Sequence, residues 1–264
     1  MLYIPENIKK IVGDQVYTQN DVGMSGSKVL IFPEHVLKIQ EHTLETDNER
    51  NIVAWLNGCI PVPEIPAYYI ENETTYTLMT KIQGKMLCDE EYLYNPSKLI
   101  KLVAEGIKLL WSANVDDCPL RFSRLDERLK EARRNVENGM VDLDNVQPET
   151  FGPNGFSGPE ELLVWLEQNR PQEDIVLSHG DFCLPNIFTD NDKISGFIDL
   201  GKMGPADRWQ DLAIVLRSLE HNFSEKYNDG KPYMKFEPRM LFDELGIEMD
   251  ETKNRYYMLL DELF

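Results

Sequence analysis

One stretch limits the fold more than any other: HGDFCLPNIFTDNDKISGFIDLG, residues 179–201. Two short apolar runs flank a polar turn at Asp190 to Asp192, which predicts a β-hairpin. A loop carrying Asp181 and Asn186 runs into the hairpin, and Asp199-Leu200-Gly201 leaves it. A hairpin sets its two open ends side by side. Asn186 and Asp199 should therefore meet, although thirteen positions separate them. Any fold for this chain must present a carboxylate, an amide and a second carboxylate at one end of that hairpin.

Those residue types suit phosphoryl transfer. Asp, four spacers and Asn, followed by an Asp-x-Gly after a strand, is the arrangement of the protein-kinase catalytic loop and its metal-binding Asp. The reaction needs an attacking hydroxyl held in line near a proton acceptor, and the triphosphate charge neutralised. Asp181 is the candidate acceptor. Asn186 and Asp199 offer the hard oxygen ligands that Mg²⁺ prefers. His179 fits a structural role on the loop backbone, since Asp181 already fills the acceptor role. A P-loop-like run from Gly196 to Lys202 is set aside, because Met203 stands where Ser or Thr is needed and the spacer reads as a strand.

The residues ahead of this stretch supply partners for a nucleotide. Lys38, in VLKI, falls on a predicted strand, and Glu49 lies on the following predicted helix, where it could pair with Lys38. The loop VGMSGSK between two predicted strands departs from G-x-G-x-x-G. Ser25 and Ser27 there could offer hydroxyls and backbone N–H groups to phosphate. Up to Thr80 the pattern is mostly short strands, including a hairpin around ENET. From Lys81 it changes to long helical periods, such as NPSKLIKLVAEGIKLLWSANV and ADRWQDLAIVLRSLEHN. We therefore expect an α+β chain of two lobes. Residues 1–80 would form a small β-rich nucleotide-binding lobe, and 81–264 a larger helical lobe for catalysis and substrate. In ADRWQDLA, Asp207 reads as a helix N-cap, Trp209 as packing, and Asp211 as a brace for the catalytic loop.

Charge narrows the partners. Lys and Arg total 27 against 46 Asp and Glu, a formal net charge of -19. Such a chain is a poor ligand for nucleic acid or an anionic membrane and attracts cations. Between Arg134 and Arg170 there is no Lys or Arg, while Glu137, Asp142, Asp144, Glu149, Glu160, Glu161 and Glu167 fall there. A loop of that charge would steer a polycation. The cysteines Cys59, Cys88, Cys118 and Cys183 have no metal-ligand spacing and read as reduced thiols, so a cytoplasmic location is expected. Neither a signal peptide nor an apolar run of membrane-spanning length is apparent.

Taken together, GMS, WLNGCIPVPE, DCP, LSHGDFCLPNIF, SGFIDLGKMGPADRWQDLA and the terminal YYMLLDELF make nearly the whole chain resemble the aminoglycoside 3'-phosphotransferases. These are antibiotic-resistance enzymes of protein-kinase-like fold. The resemblance implies transfer of the γ-phosphoryl of ATP, with GTP as an alternative donor, to the 3'-hydroxyl of a kanamycin- or neomycin-type drug. It implies that adenine meets backbone groups of the lobe linker around Thr80, Lys81 and Ile82. It also places Lys202, Arg217, Glu262 and Phe264 with Asp181 at the substrate, in a monomer or weak dimer. Two departures bear on the drug profile: Lys202 replaces the Arg common after Asp-Leu-Gly, and His221 stands where the family has a substrate-contacting Glu. On the residues alone three other readings stay open. One is a kinase of this fold acting on another small hydroxyl compound. Another is a nucleotide-binding regulator without catalysis, which predicts loss of Asp181, Asn186, Asp199 or Lys38, yet all four are present. The third is a hydrolase built on Asp181 and Asp199, which leaves Asn186 and Lys38 unexplained.

Overall fold

Five short strands between Thr18 and Thr80 build an antiparallel sheet among the described residues. The computed structural model describes residues 3–20, 27–119, 124–144, 146–147, 149–224, 230–234 and 236–264. Helix α1 (Glu6–Val12) precedes strands β1 (Thr18–Asn20), β2 (Lys28–Ile31) and β3 (His35–Glu41). Helix α2 (Leu44–Leu56) follows, then β4 (Ala67–Glu71) and β5 (Thr74–Thr80). The five strands lie in the order β1-β2-β3-β5-β4. Asn72 and Glu73 between β4 and β5 both have positive φ, 48° and 59°. That is the backbone of a two-residue type I′ hairpin turn, whose twist matches its strands. Ile8 and Val12 of α1 pack with Leu30, Leu37, Ile39 and Leu78 into one apolar cluster.

Helix α2 starts at a capping box in which Thr43 and Thr46 each satisfy the other's backbone N–H. Its apolar stripe, Ile52, Val53 and Leu56, does not join the sheet's cluster. It packs into the core of the helical part instead. This helix thus ties the strands to the helical part of the chain.

Among the described residues after Thr80 lie β6 (Lys85–Met86), α3 (Glu90–Leu93), α4 (Pro96–Trp111), α5 (Leu125–Glu137), α6 (Pro159–Gln168), β7 (Ile175–Ser178), β8 (Ile187–Asp190), β9 (Lys193–Phe197), β10 (Gly204–Asp207), α7 (Arg208–Phe223), α8 (Arg239–Leu245) and α9 (Glu251–Asp261). Leu99, Val103, Leu162, Leu212 and Leu260 represent their large buried core. The predicted hairpin is β8–β9, with Asn191 and Asp192 at φ 48° and 61° in the turn. Strand β6 adds to its outer edge. Helix α7 begins at Arg208 with Asp207 as its N-cap, as expected, the Asp207 carboxylate accepting the Trp209 N–H at 2.9 Å. Gly204 to Asp207 pair antiparallel with β7 before the helix starts. A Gly-Pro pair hides that strand from propensity, and only the partner strand reveals it. Helices α3 and α8, four and seven residues long, are too short for a periodic signal and were not anticipated. Among the described residues no helix is long and apolar enough to cross a membrane.

Candidate active site

Strand β7 delivers the chain into the catalytic loop. Gly180 adopts φ 84°, and a Cβ there would stand 2.3 Å from the carbonyl oxygen of Lys202. Only glycine suits such a turn. Asp211, buried near the start of α7, braces the loop from below. Its carboxylate accepts from the Ser178 hydroxyl at 2.9 Å, the His179 N–H at 2.7 Å and the Gly180 N–H at 3.0 Å. Burial raises its pKa, while His179 and the N–H donors pull it back. His179 accepts at Nδ1 from the Asp181 N–H, 3.3 Å away. Nε2 therefore carries the proton and donates to the Ile198 carbonyl at 3.0 Å. The ring joins the loop to β9, and no solvent reaches it.

Asn186 closes the loop at the end of a single 3-10 turn, Leu184–Asn186. Its Nδ2 donates to the Asp181 carbonyl at 3.0 Å and to Asp181 Oδ2 at 3.1 Å. The amide nitrogen is thus spent on Asp181, which leaves Oδ1 as the atom suited to a cation. The Leu184 N–H donates to Ser218 Oγ at 3.1 Å and ties the turn to α7. Cys183 lies between these residues. Burial raises its thiol pKa well above the ordinary range, and the charge of Asp181 adds to this, so it is a poor nucleophile.

The hairpin brings Asp199 alongside as expected. The Ile198 N–H donates to the Asn186 carbonyl at 3.1 Å. Asp199 itself takes a left-handed backbone, φ 59° and ψ 58°. Its Oδ1 accepts from Lys38 Nζ at 2.7 Å. Glu49 Oε2 stands 3.6 Å from the same ammonium. Burial opposes the charge of Lys38, but Glu49 and Asp199 outweigh it and hold the pKa above its ordinary value. Burial likewise works against ionised Asp199, yet Lys38 leaves its pKa below the usual range. Glu49 is fully enclosed, and burial keeps its pKa raised against the pull of Lys38.

Helix α2 grips the segment after Asp199 by two neighbouring side chains. Glu49 Oε1 accepts the Leu200 N–H at 3.2 Å. Asn48 Nδ2 donates to the Gly201 carbonyl at 2.6 Å and the Met203 carbonyl at 3.1 Å. Sequence reasoning missed Asn48, which in sequence is an ordinary polar residue of a helix. Its adjacency to Glu49 was the one available hint.

Other anticipated residues are placed as follows. Ser25 lies outside the described residues, and Ser27 is buried ahead of β2. Thr80 ends β5. Its N–H donates to the Glu64 carbonyl at 2.9 Å and its hydroxyl accepts the Glu64 N–H at 2.9 Å. Ile82 lies over Gly196 of β9, where a Cβ would come within 2.7 Å of Ile82 Cδ1. The linker therefore rests directly on the hairpin that carries Asn186 and Asp199. Lys202 belongs to the 3-10 turn behind Asp199.

Arg217, Glu262 and Phe264 converge at the end of α9. Arg217 pairs with Asp261, and Arg128 of α5 lies 3.8 Å from the same carboxylate. The Arg128 guanidinium covers the Phe264 ring at 3.6 Å from its centroid. Glu262 is mostly buried and accepts the Gln147 N–H at 3.1 Å; burial raises its pKa. Arg217 and Ser218 are sequence neighbours, so α7 holds this cluster and the catalytic loop on successive residues. Arg128 and Ser218 were not anticipated, because nothing local to either marks it. Several acids of the 135–169 stretch have local duties. Glu167 pairs with Arg133 at 2.5 Å, and Glu161 takes the N–H and hydroxyl of Ser157.

Comparison with known proteins agrees with this fold. Residues 17–234 match the model of the phosphotransferase enzyme family. The chain is 36% identical over 272 residues to an aminoglycoside 3'-phosphotransferase of Enterococcus faecalis, covering 99% of this chain and 98% of that one. It is 35% identical over 271 residues to one of Staphylococcus aureus, covering 99% and 98%. Among solved structures, the aminoglycoside-3'-phosphotransferase of type VIII superposes with a TM-score of 0.75 at 26% identity, covering 98% of both chains. The chain belongs to the phosphotransferase enzyme family, among its aminoglycoside 3'-phosphotransferases.

Proposed function

We propose that this enzyme transfers the γ-phosphoryl group of ATP to the 3'-hydroxyl of a kanamycin- or neomycin-type aminoglycoside and so confers resistance. The observation that carries the reading is the junction of Lys38, Asp199, Asn186 and Asp181: Lys38 reaches Asp199 at 2.7 Å, and Asn186 holds Asp181 at 3.1 Å. In this reading residues 1–80 bind the nucleotide and 81–264 bind the drug. Lys38 holds a phosphate, kept in place by Glu49. Asp181 orients the sugar hydroxyl and takes its proton as the phosphorus–oxygen bond forms. The Asn186 amide keeps the Asp181 carboxylate pointed, and Asp211 keeps the loop beneath it still. Arg217, Glu262, Phe264 and Lys202 stand toward the drug.

The donor set fits Mg²⁺. The Oδ1 of Asn186, whose amide nitrogen is engaged by Asp181, and the half-exposed carboxylate of Asp199 are hard oxygens on adjacent strand ends. Among the described residues no group of three or more His, Cys, Asp or Glu is arranged to hold a cation. Two protein oxygens completed by phosphate and water are the usual environment of Mg²⁺ beside a nucleotide. When bound there, it neutralises charge on the triphosphate. GTP is a possible alternative donor, and the cytoplasm, where ATP is made, is the proposed place of action.

The test is ADP release in a coupled assay with Mg²⁺-ATP and kanamycin, neomycin or tobramycin, which lacks a 3'-hydroxyl. Turnover with the first two and little with tobramycin is expected. Asp181→Ala should lose about 10³-fold or more in kcat, in line with a general base in a positioned site. Equal turnover with tobramycin would move the acceptor hydroxyl. Full activity in Asp181→Ala would remove Asp181 from the chemistry.

A further inference from the structure

Asn48 stands beside Glu49 but faces a different task. It is almost wholly buried on α2, and both hydrogens of its amide are spent on backbone carbonyls of the Asp199 segment, Gly201 at 2.6 Å and Met203 at 3.1 Å. Its Oδ1 is buried without a hydrogen-bond partner. Burying an amide oxygen unpaired is unfavourable, so the site keeps Asn for its donors alone. An apolar residue there would leave two carbonyls without those donors. Asp199 meanwhile holds a left-handed backbone, φ 59°, which costs a non-glycine residue some strain even though Asp tolerates it better than most. The Leu200 N–H is fixed by Glu49 immediately after Asp199, and the Gly201 and Met203 carbonyls are fixed by Asn48. Three hydrogen bonds from two consecutive residues of one helix therefore determine where the Asp199 carboxylate points.

We infer that Asn48 is a positioning residue for Asp199: it sets the geometry with which this carboxylate receives a divalent cation beside the nucleotide. The inference rests on the proposed role of Asp199. Asn48 touches neither substrate nor metal. Its effect therefore belongs in metal-linked steps, and not in nucleotide binding as such.

The experiment compares ADP binding by calorimetry, with and without Mg²⁺, in the wild type and Asn48→Ala, alongside the Mg²⁺ concentration for half-maximal turnover. We expect metal-free ADP affinity within about threefold of wild type, since the linker and Lys38 are untouched. The enhancement of ADP affinity by Mg²⁺ should fall about tenfold, and the half-saturating Mg²⁺ should rise by a similar factor, as for loss of groups that orient a metal ligand. Gly201→Ala provides an independent approach, and it decides the matter if Asn48→Ala does not fold. Its Cβ would press on Glu45 Cβ and carbonyl oxygen at 3.3 Å and lift the same segment from α2. It should show the same metal-specific loss in milder form. Unchanged Mg²⁺ linkage in folded variants, or equal losses with and without Mg²⁺, would overturn the inference. If Mg²⁺ does not alter ADP affinity even in the wild type, the assignment of Asp199 fails and this inference fails with it.

Discussion

Lys38 sits among groups that pull its charge in opposite directions. Burial alone would lower its pKa, but Glu49 and Asp199 reverse that and hold it raised. A base with a raised folded pKa contributes stability that is complete below its unfolded value of about 10.4 and is lost as pH rises through the folded value. Lys38 therefore stays cationic from neutral pH to about 10 and gives wild-type ADP affinity no alkaline limb in that range. Glu49→Gln removes one carboxylate and leaves burial opposed by Asp199 alone, so the lysine pKa falls. Calorimetric ADP affinity measured up to about pH 10 should then acquire an alkaline limb in the variant, while the wild type stays flat. Coincident curves would mean that Glu49 does not set the charge of Lys38. At this scale the residues proposed for the chemistry were legible as a group: Asp181, Asn186, Asp199, Lys38 and Glu49 all carry spacing or element signals, and the fold brings them together. Asn48, Arg128 and Ser218 carry none, because their partners are backbone atoms or rings more than 30 positions away in sequence.

Elements determine how tightly those residues are held. The loop after β7 is the least forgiving. Gly180→Ala forces a side chain into φ 84° and against the Lys202 carbonyl at 2.3 Å. Denaturant unfolding should show a loss of about 3 kcal/mol or more, because strain and overlap add. Gly139→Ala shares a positive φ, 63°, but meets nothing within 4 Å. It should cost only about 1 kcal/mol, the strain alone. Similar losses at both sites would mean that the catalytic loop relaxes easily around Gly180. At the end of α9, Arg128→Met removes a guanidinium that is buried over Phe264 and near Asp261. A desolvated cation–π contact is worth about 2 kcal/mol, equivalent to about thirtyfold, so the aminoglycoside KM should rise by up to that factor. The KM for ATP should hold, because α5 does not reach Lys38. A rise in both would instead indicate general loosening of the helical core.

The whole molecule acts through its field. A net charge of -19 attracts a polycationic drug and repels ATP. Raising ionic strength from about 0.02 M to about 0.5 M should lower kcat/KM for the aminoglycoside several-fold, since the Debye length shrinks from roughly 20 Å to roughly 4 Å. The ATP term should move little or improve. An aminoglycoside term indifferent to salt would confine recognition to the short-range contacts of the pocket. Local pairing tempers the steering expected of the 135–169 stretch. Glu137 and Glu167 face Arg133, and Glu161 serves Ser157, so those acids are partly neutralised or committed.

The sequence by itself determined the hairpin of 187–197, the strand-rich start, the helical remainder and the residues proposed to react. Each depends on residues close in the chain, through period-two or helical patterning and through fixed spacing at a turn. Tertiary structure alone decided that α2 would join the helical core instead of the sheet, that Gly204–Asp207 would become a strand, and that Asn48 would hold the Asp199 segment. Those outcomes come from pairing of groups distant in sequence, whose energies arise only on contact. No local pattern records a backbone carbonyl's need for a donor supplied from 153 positions away.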